Sequence, residues 1–122
     1  MNLAKENNNK VHILRLPGVF GPNCKPNYNS VVATYCYNVL NNLELKIINR
    51  NRLLELVYIE DLCYQMRQLI MFPNKDTFVK INSKYKIKVH ELASIIKSFK
   101  YENNMKIGDL NNKLYKTFIT YK

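Results

Sequence analysis

Glycine is scarce in this 122-residue chain: there are three, and only Gly18 and Gly21 lie close together. Neither G-x-G-x-x-G nor G-x-x-x-x-G-K-[ST] occurs, which excludes both glycine-rich devices that wrap backbone around a pyrophosphate. Histidine is limited to His12 and His90. Each sits among apolar neighbours with no Cys or His at ligand spacing, so a zinc site is excluded. The three cysteines are odd in number and form no C-x-x-C, so they read as reduced thiols. Cys36 and Cys63 are expected on buried helix faces and Cys24 in a loop. No apolar run approaches the ~18 residues of a membrane span. Residues 1–10 are polar and Asn-rich, without the apolar core of a signal peptide, so a cytoplasmic location and no membrane partner are expected. No Ser or Cys lies in a nucleophile elbow. Glu60 and Asp61 are adjacent carboxylates, and adjacent residues on a helix do not face each other. They read as helix-start acids, and no catalytic residue is assigned.

Acidic groups are also few, 9 against 19 basic ones, for a formal charge of +10. That balance invites a nucleic-acid reading. The charge is spread along the chain, however, with no run of five or six basic residues and no RNA-binding aromatic signature. Lysine outnumbers arginine 15 to 4 and asparagine reaches 18, the composition of an AT-rich coding sequence written onto a surface. Nucleic acid is therefore not the expected partner.

What is present is an alternation of strand-like and helix-like segments. Val11–Leu16 is nearly all apolar, as in a buried parallel strand. It runs into an irregular loop built from Pro17, Gly18, Gly21, Pro22 and Pro26. A helix is predicted from Ser30 to Asn42, with Asn29 or Ser30 as N-cap and Val32, Cys36, Val39 and Leu40 inward. Leu45–Ile48 and Glu55–Ile59 are strand candidates around a polar turn at residues 49–52. A second helix begins near Glu60–Asp61, placing acids at the positive end of its dipole. It carries Leu62, Met66, Leu69 and Ile70 on one face. Thr77–Ile81 reads as a strand. Lys88–Phe99 shows a Val89, Leu92, Ala93, Ile96, Phe99 stripe, and a last helix covers Asp109–Thr120 with Leu110, Leu114 and Phe118 inward. The pattern is α/β, in one domain. A strand ending in a stiff loop before a helix N-terminus is where such folds place ligands.

Several of these segments match a family. Arg15-Leu16-Pro17-Gly18-Val19-Phe20-Gly21-Pro22 resembles the R-x-x-N/G-V-[YF]-G-P strand of the extended short-chain dehydrogenase/reductases, the NAD(P)-dependent sugar-nucleotide epimerases and dehydratases. Val57-Tyr58-Ile59-Glu60-Asp61 resembles their V-Y-V-[DE]-D segment. Phe78–Asn82 with Val89–Ala93 resembles their closing strand and helix. The eleven residues Cys24–Thr34 are more specific. With Leu54–Tyr58 and Lys113-Leu114-Tyr115, they look like the capsular-polysaccharide branch, which reduces a UDP-linked 2-acetamido-2,6-dideoxy-4-ketohexose.

The resemblance spans residues 10–122 and implies roles. Pro17 and Gly18 would lie against the nicotinamide of the cofactor. Asn23, Lys25, Asn27, Tyr28 and Asn29 would form the sugar and pyrophosphate loop, with Lys25 as a point charge and the asparagines as amide donors. The helix N-terminus at Ser30–Val32 would add backbone N–H groups, and Arg50 and Arg52 would reach the diphosphate or uracil. Taken singly, the same residues also read as turn punctuation, solvated charges and, for Tyr28, a cap on the core.

The departures from the family are equally informative. No tyrosine here has a lysine four residues later, so the catalytic Y-x-x-x-K is missing along with the glycine-rich loop. The expectation is therefore the C-terminal, substrate-binding part (1–122) of an extended, Rossmann-like dehydrogenase/reductase domain without its N-terminal glycine-rich half. It would start within the helix after the catalytic lysine, leaving the Val11–Leu16 strand edge uncovered. NAD or NADP would belong to the full-length parent, with none bound by this chain alone. The implied partners are a UDP-sugar and a chain supplying the missing half. The alternative reading is a non-catalytic UDP-sugar-binding or partner-docking module.

Overall fold

A computed structural model of the chain describes residues 11–26, 30–47, 49–73, 75–101 and 108–122. The elements run β1 (Ile13–Arg15), β2 (Gly18–Phe20), α1 (Val31–Leu40), β3 (Leu53–Tyr58), α2 (Ile59–Met71), β4 (Phe78–Lys80), β5 (Tyr85–Lys88), α3 (Val89–Phe99) and α4 (Asp109–Ile119). Strands and helices alternate, as the sequence pattern implies for α/β.

Pro17 divides what the sequence suggested was one strand and a loop. Proline has no N–H to continue a ladder. The chain therefore leaves the two-stranded parallel sheet β1–β4 and enters a second, β2–β3–β5, with Gly18 opposite Leu56. In that sheet β2 is parallel and β5 antiparallel to β3. The expected irregular loop at Gly18–Phe20 is thus a strand. Nor is β1 the buried strand foreseen: Ile13 and Arg15 are exposed and Leu14 only half-buried.

β3 separates two cores. Leu56 and Tyr58 point into the larger, with Phe20, Val32, Cys36, Leu92, Ile96, Phe99, Leu114 and Phe118. Val57 points the other way, onto Leu62 and Ile81. A strand covered on both faces loses the polar–apolar alternation of a surface strand. The larger core is closed by α1, α3 and α4 packing on one another. All five residues of the α3 stripe are buried, as their spacing requires. Phe99 meets Tyr115 and Phe118 with ring centroids 5.4 and 5.6 Å apart, within the range of favourable aromatic pairs.

Other expectations fail for local reasons. Leu45–Ile47 packs against the core without joining a sheet, and Ile48 lies outside the described residues. Helix α2 packs on β2 and β3, and Leu62 is its single buried residue. Met66 and Ile70, expected inward, are exposed, and so is Cys63, next to Leu62 on the outer face. Cys36 is buried as expected.

Candidate functional site

The site grows out of the β2–α1 connection. Ser30 caps α1 by accepting the Ala33 N–H at 3.2 Å, while its carbonyl takes the Thr34 hydroxyl at 2.9 Å. Its hydroxyl is thereby committed to the helix, and ligand-binding capacity at this end rests with backbone N–H groups. On one side of Pro17–Val19 and Ser30 opens a cleft of about 770 Å³. Val31, Val32 and Tyr35 of α1, Leu53–Leu56 of β3, and the polar groups of Lys46, Asn49 and Arg52 complete its wall. Lys46, Arg52 and a helix N-terminus line one hollow, which suits an anion, and the Glu55 carboxylate in the same wall is paired with Lys86 at 3.7 Å. The Arg52 carbonyl accepts from the Val89 N–H at 3.0 Å, which ties its backbone to the start of α3.

On the other side of the same wall lies a smaller, mostly apolar cleft of about 470 Å³. Leu16, Phe20, Gly21, Pro22 and Ile59 line it, with Asn23 and Cys24 at its rim. A Cβ at Gly21 would stand 2.5 Å from Ile59 Cγ2, so only glycine lets the β2 exit cross the start of α2. At Gly18 a Cβ would stand 3.1 Å from Leu56 Cδ2. Its small size therefore also serves the packing of β2 on β3, beside any approach of a ligand.

Pro17, Gly18 and Arg52 thus meet in one cleft. Arg50 lies outside it, its carbonyl accepting from the His90 N–H at 3.2 Å. Asn23 belongs to the smaller cleft, and Lys25 lines neither. Asn27, Tyr28 and Asn29 lie outside the described residues. Lys46 is an addition that the sequence did not point to, since nothing in its own neighbourhood sets it apart from the other lysines. The residues present fit only the apolar edge of a dinucleotide: Pro17 and Gly18 offer a wall, and the sequence holds no glycine-rich cradle for its pyrophosphate.

A polar cluster joins the first turn of α2 to β5 and α4. Lys113 Nζ, with its side chain 15% exposed, lies 2.8 Å from the Tyr85 hydroxyl and 3.1 Å from Asp61 Oδ2. It also sits over the rings of Tyr58 and Tyr85, 5.3 and 5.2 Å from their centroids. The Tyr85 hydroxyl donates in turn to Asp109. Burial works to lower the Lys113 pKa, but hydrogen bonds to Tyr85 and Asp61 and their charges overcome it and hold the ammonium above the ordinary lysine value. Burial, helped by the bond to Asp109, pushes the Tyr85 phenol up. Asp61 therefore does more than start a helix. No signal in the sequence shows that its partner lies on α4.

A UDP-2-acetamido-2,6-beta-L-arabino-hexul-4-ose reductase of Pseudomonas aeruginosa is 32% identical to this chain over 117 residues, covering 91% of it. The capsular polysaccharide assembling protein CapF of Staphylococcus aureus is 31% identical, matching 98% of the chain with a TM-score of 0.80. The chain is related to the C-terminal part of the extended short-chain dehydrogenase/reductases. The Bordetella bronchiseptica enzyme WbmF, solved with NADH, shares the fold at 16% identity and a TM-score of 0.78. No family model matches the sequence. The chain spans about a third of these closer relatives, 32% of the reductase and 35% of CapF. Its fold is accordingly part of a Rossmann-like α/β domain.

Proposed function

We propose that this chain forms the sugar-nucleotide side of an NAD(P)-dependent reductase or epimerase. The substrate would be a UDP-2-acetamido-2,6-dideoxy-4-ketohexose destined for capsular or surface polysaccharide. The observation that carries this reading is the larger cleft, which Lys46, Arg52 and the α1 N-terminus line beside Pro17 and Gly18, with Glu55 of the same wall paired to Lys86. Its chemistry suits a nucleoside diphosphate, and the similarity to the Pseudomonas reductase supports the sugar class. The smaller apolar cleft suits a deoxygenated sugar. With no Y-x-x-x-K to supply a proton and no glycine-rich loop for the dinucleotide, the chain by itself does not turn over substrate. Calorimetric titration of the purified 122-residue chain with UDP tests the reading, alongside NADPH consumption with the 4-keto sugar nucleotide. Saturable UDP binding without NADPH consumption is expected. Absence of UDP binding, or steady turnover, overturns it.

A second reading, docking onto a chain that supplies the glycine-rich half, is favoured by one observation. Among the described residues β1 pairs only with β4, and Ile13, Leu16 and Phe78 stand exposed around this small sheet. Such an edge is a template for another strand. Co-expression with a glycine-rich, Y-x-x-x-K-bearing fragment of a relative should yield a complex and NADPH-dependent reduction. Separate elution of the two chains counts against it.

A further inference from the structure

Both flanks of the smaller cleft are held by one element, and that element is not part of the cleft. At the C-terminal end of α4 the Thr120 hydroxyl donates to the Thr117 carbonyl at 2.6 Å. Its proton is thereby used, and a lone pair accepts the Asn23 N–H at 3.2 Å. The next residue, Tyr121, donates its hydroxyl to the Cys24 carbonyl. These two bonds close loops of 97 residues and fix two successive rim residues, one of them, Asn23, in a left-handed conformation with φ 65°. In its middle, α4 carries Lys113. That side chain holds Asp61 and covers Tyr58, the residues on either side of Ile59 and Glu60. Ile59 also lines the cleft, pressed against Gly21.

We propose that α4 is a clamp for the sugar arm of the site, with Thr120 and Tyr121 as positioning residues for the Asn23–Cys24 rim and Lys113 for the Ile59 wall. This rests on the functional reading above only for the identity of the ligand; the clamp itself stands on the geometry. Burial, with the nearby Cys24 and Cys36 thiols, pushes the Tyr121 phenol up to about 12, so its hydroxyl keeps its proton to donate throughout the neutral range.

Cys24 offers a probe of the rim. In a Cys63→Ser background it is the more accessible of the two remaining thiols, since Cys36 is buried. Tyr121→Phe removes only the hydroxyl, whereas Thr120→Val puts a methyl in place of the hydroxyl and so deletes both the bond accepted from Asn23 and the one donated to Thr117. Freeing either rim residue from the end of α4 should raise the Cys24 rate with an aromatic disulfide reagent about three- to tenfold. Cys36 should stay slow, and the thermal midpoint should move by a few degrees at most. In the unsubstituted chain the Asn23 amide should exchange with deuterium more slowly than an unbonded loop amide. Both variants should also weaken binding of UDP-N-acetylglucosamine while leaving UDP itself unchanged. An unchanged Cys24 rate, a parallel rise at Cys36, or a freely exchanging Asn23 amide each overturns the clamp. Should the unsubstituted chain bind no UDP, the functional reading fails, and the thiol and exchange rates still decide the clamp.

Discussion

Lys113 and Asp61, 52 residues apart in the chain, meet at 3.1 Å and join the last helix to the start of the second. The lysine is mostly buried, and its carboxylate partner is only 29% exposed. Lys113→Met keeps the stem and removes the charge. It should cost about 1.5–3 kcal/mol, the range for a hydrogen bond to a charged group. Urea unfolding at pH 7 measures it. If the loss is instead under about 0.5 kcal/mol, the pair behaves as an ordinary surface bridge.

Alkaline pH should unfold the chain early. Lys113 has its pKa raised, and burial raises those of Tyr35, Tyr58, Tyr85 and Tyr121. A raised pKa means that the folded state holds its proton after the unfolded chain has released it. The stabilisation is complete below the ordinary values of 10.0 for tyrosine and 10.5 for lysine and is lost as pH rises through the raised ones. Burial also pushes the Cys36 thiol up from 9.0 to about 12. The urea midpoint should therefore be flat to about pH 8, begin to fall as the unfolded thiol ionises, and fall more steeply beyond about pH 9.5. Lys113→Met should flatten that fall. A midpoint unchanged to pH 12 would contradict the assignment.

Arg52 and Arg50 separate cleanly. Arg52→Ala should weaken UDP binding about tenfold or more, the loss of a charge-assisted hydrogen bond. Arg50→Ala, outside the cleft, should leave it within about twofold, since exposed charges act weakly through solvent. Equal effects from both would mean a diffuse electrostatic attraction in place of a contact.

Gly21→Ala should destabilise by about 1–3 kcal/mol, the usual cost of forcing a methyl into occupied space. Ile59→Ala in the same chain should recover part of it, because Ile59 is what the new Cβ would meet. Double-mutant additivity in thermal unfolding would show that Gly21 and Ile59 do not interact.

Legibility in the sequence followed the range of the forces involved. The α3 stripe and the Ser30 cap were readable because each depends on residues three or four apart. Cleft residues Pro17, Gly18 and Arg52 were readable because a family motif marks or flanks them. β5 was missed: Tyr85-Lys86-Ile87-Lys88 offers only two apolar side chains and passes directly into a helix. The outward turn of Cys63, Met66 and Ile70 was missed because periodicity defines a face without saying whether anything covers it. Neither Lys46 nor the bonds from Thr120 and Tyr121 could be found locally, since their partners come from distant parts of the chain.

The partition made by β3 has a consequence for how the gene can vary. Strand side chains alternate, so inserting one codon ahead of Leu56 would move Tyr58 toward the side now held by Val57. That side is closed by Leu62 and Ile81 around a valine, with no space shaped for a phenol. The larger core would lose Leu56 and Tyr58 at the same moment. Substitutions along this strand can be absorbed singly, but a length change would disrupt both cores together, so homologous chains should keep a fixed residue count between Leu53 and Tyr58.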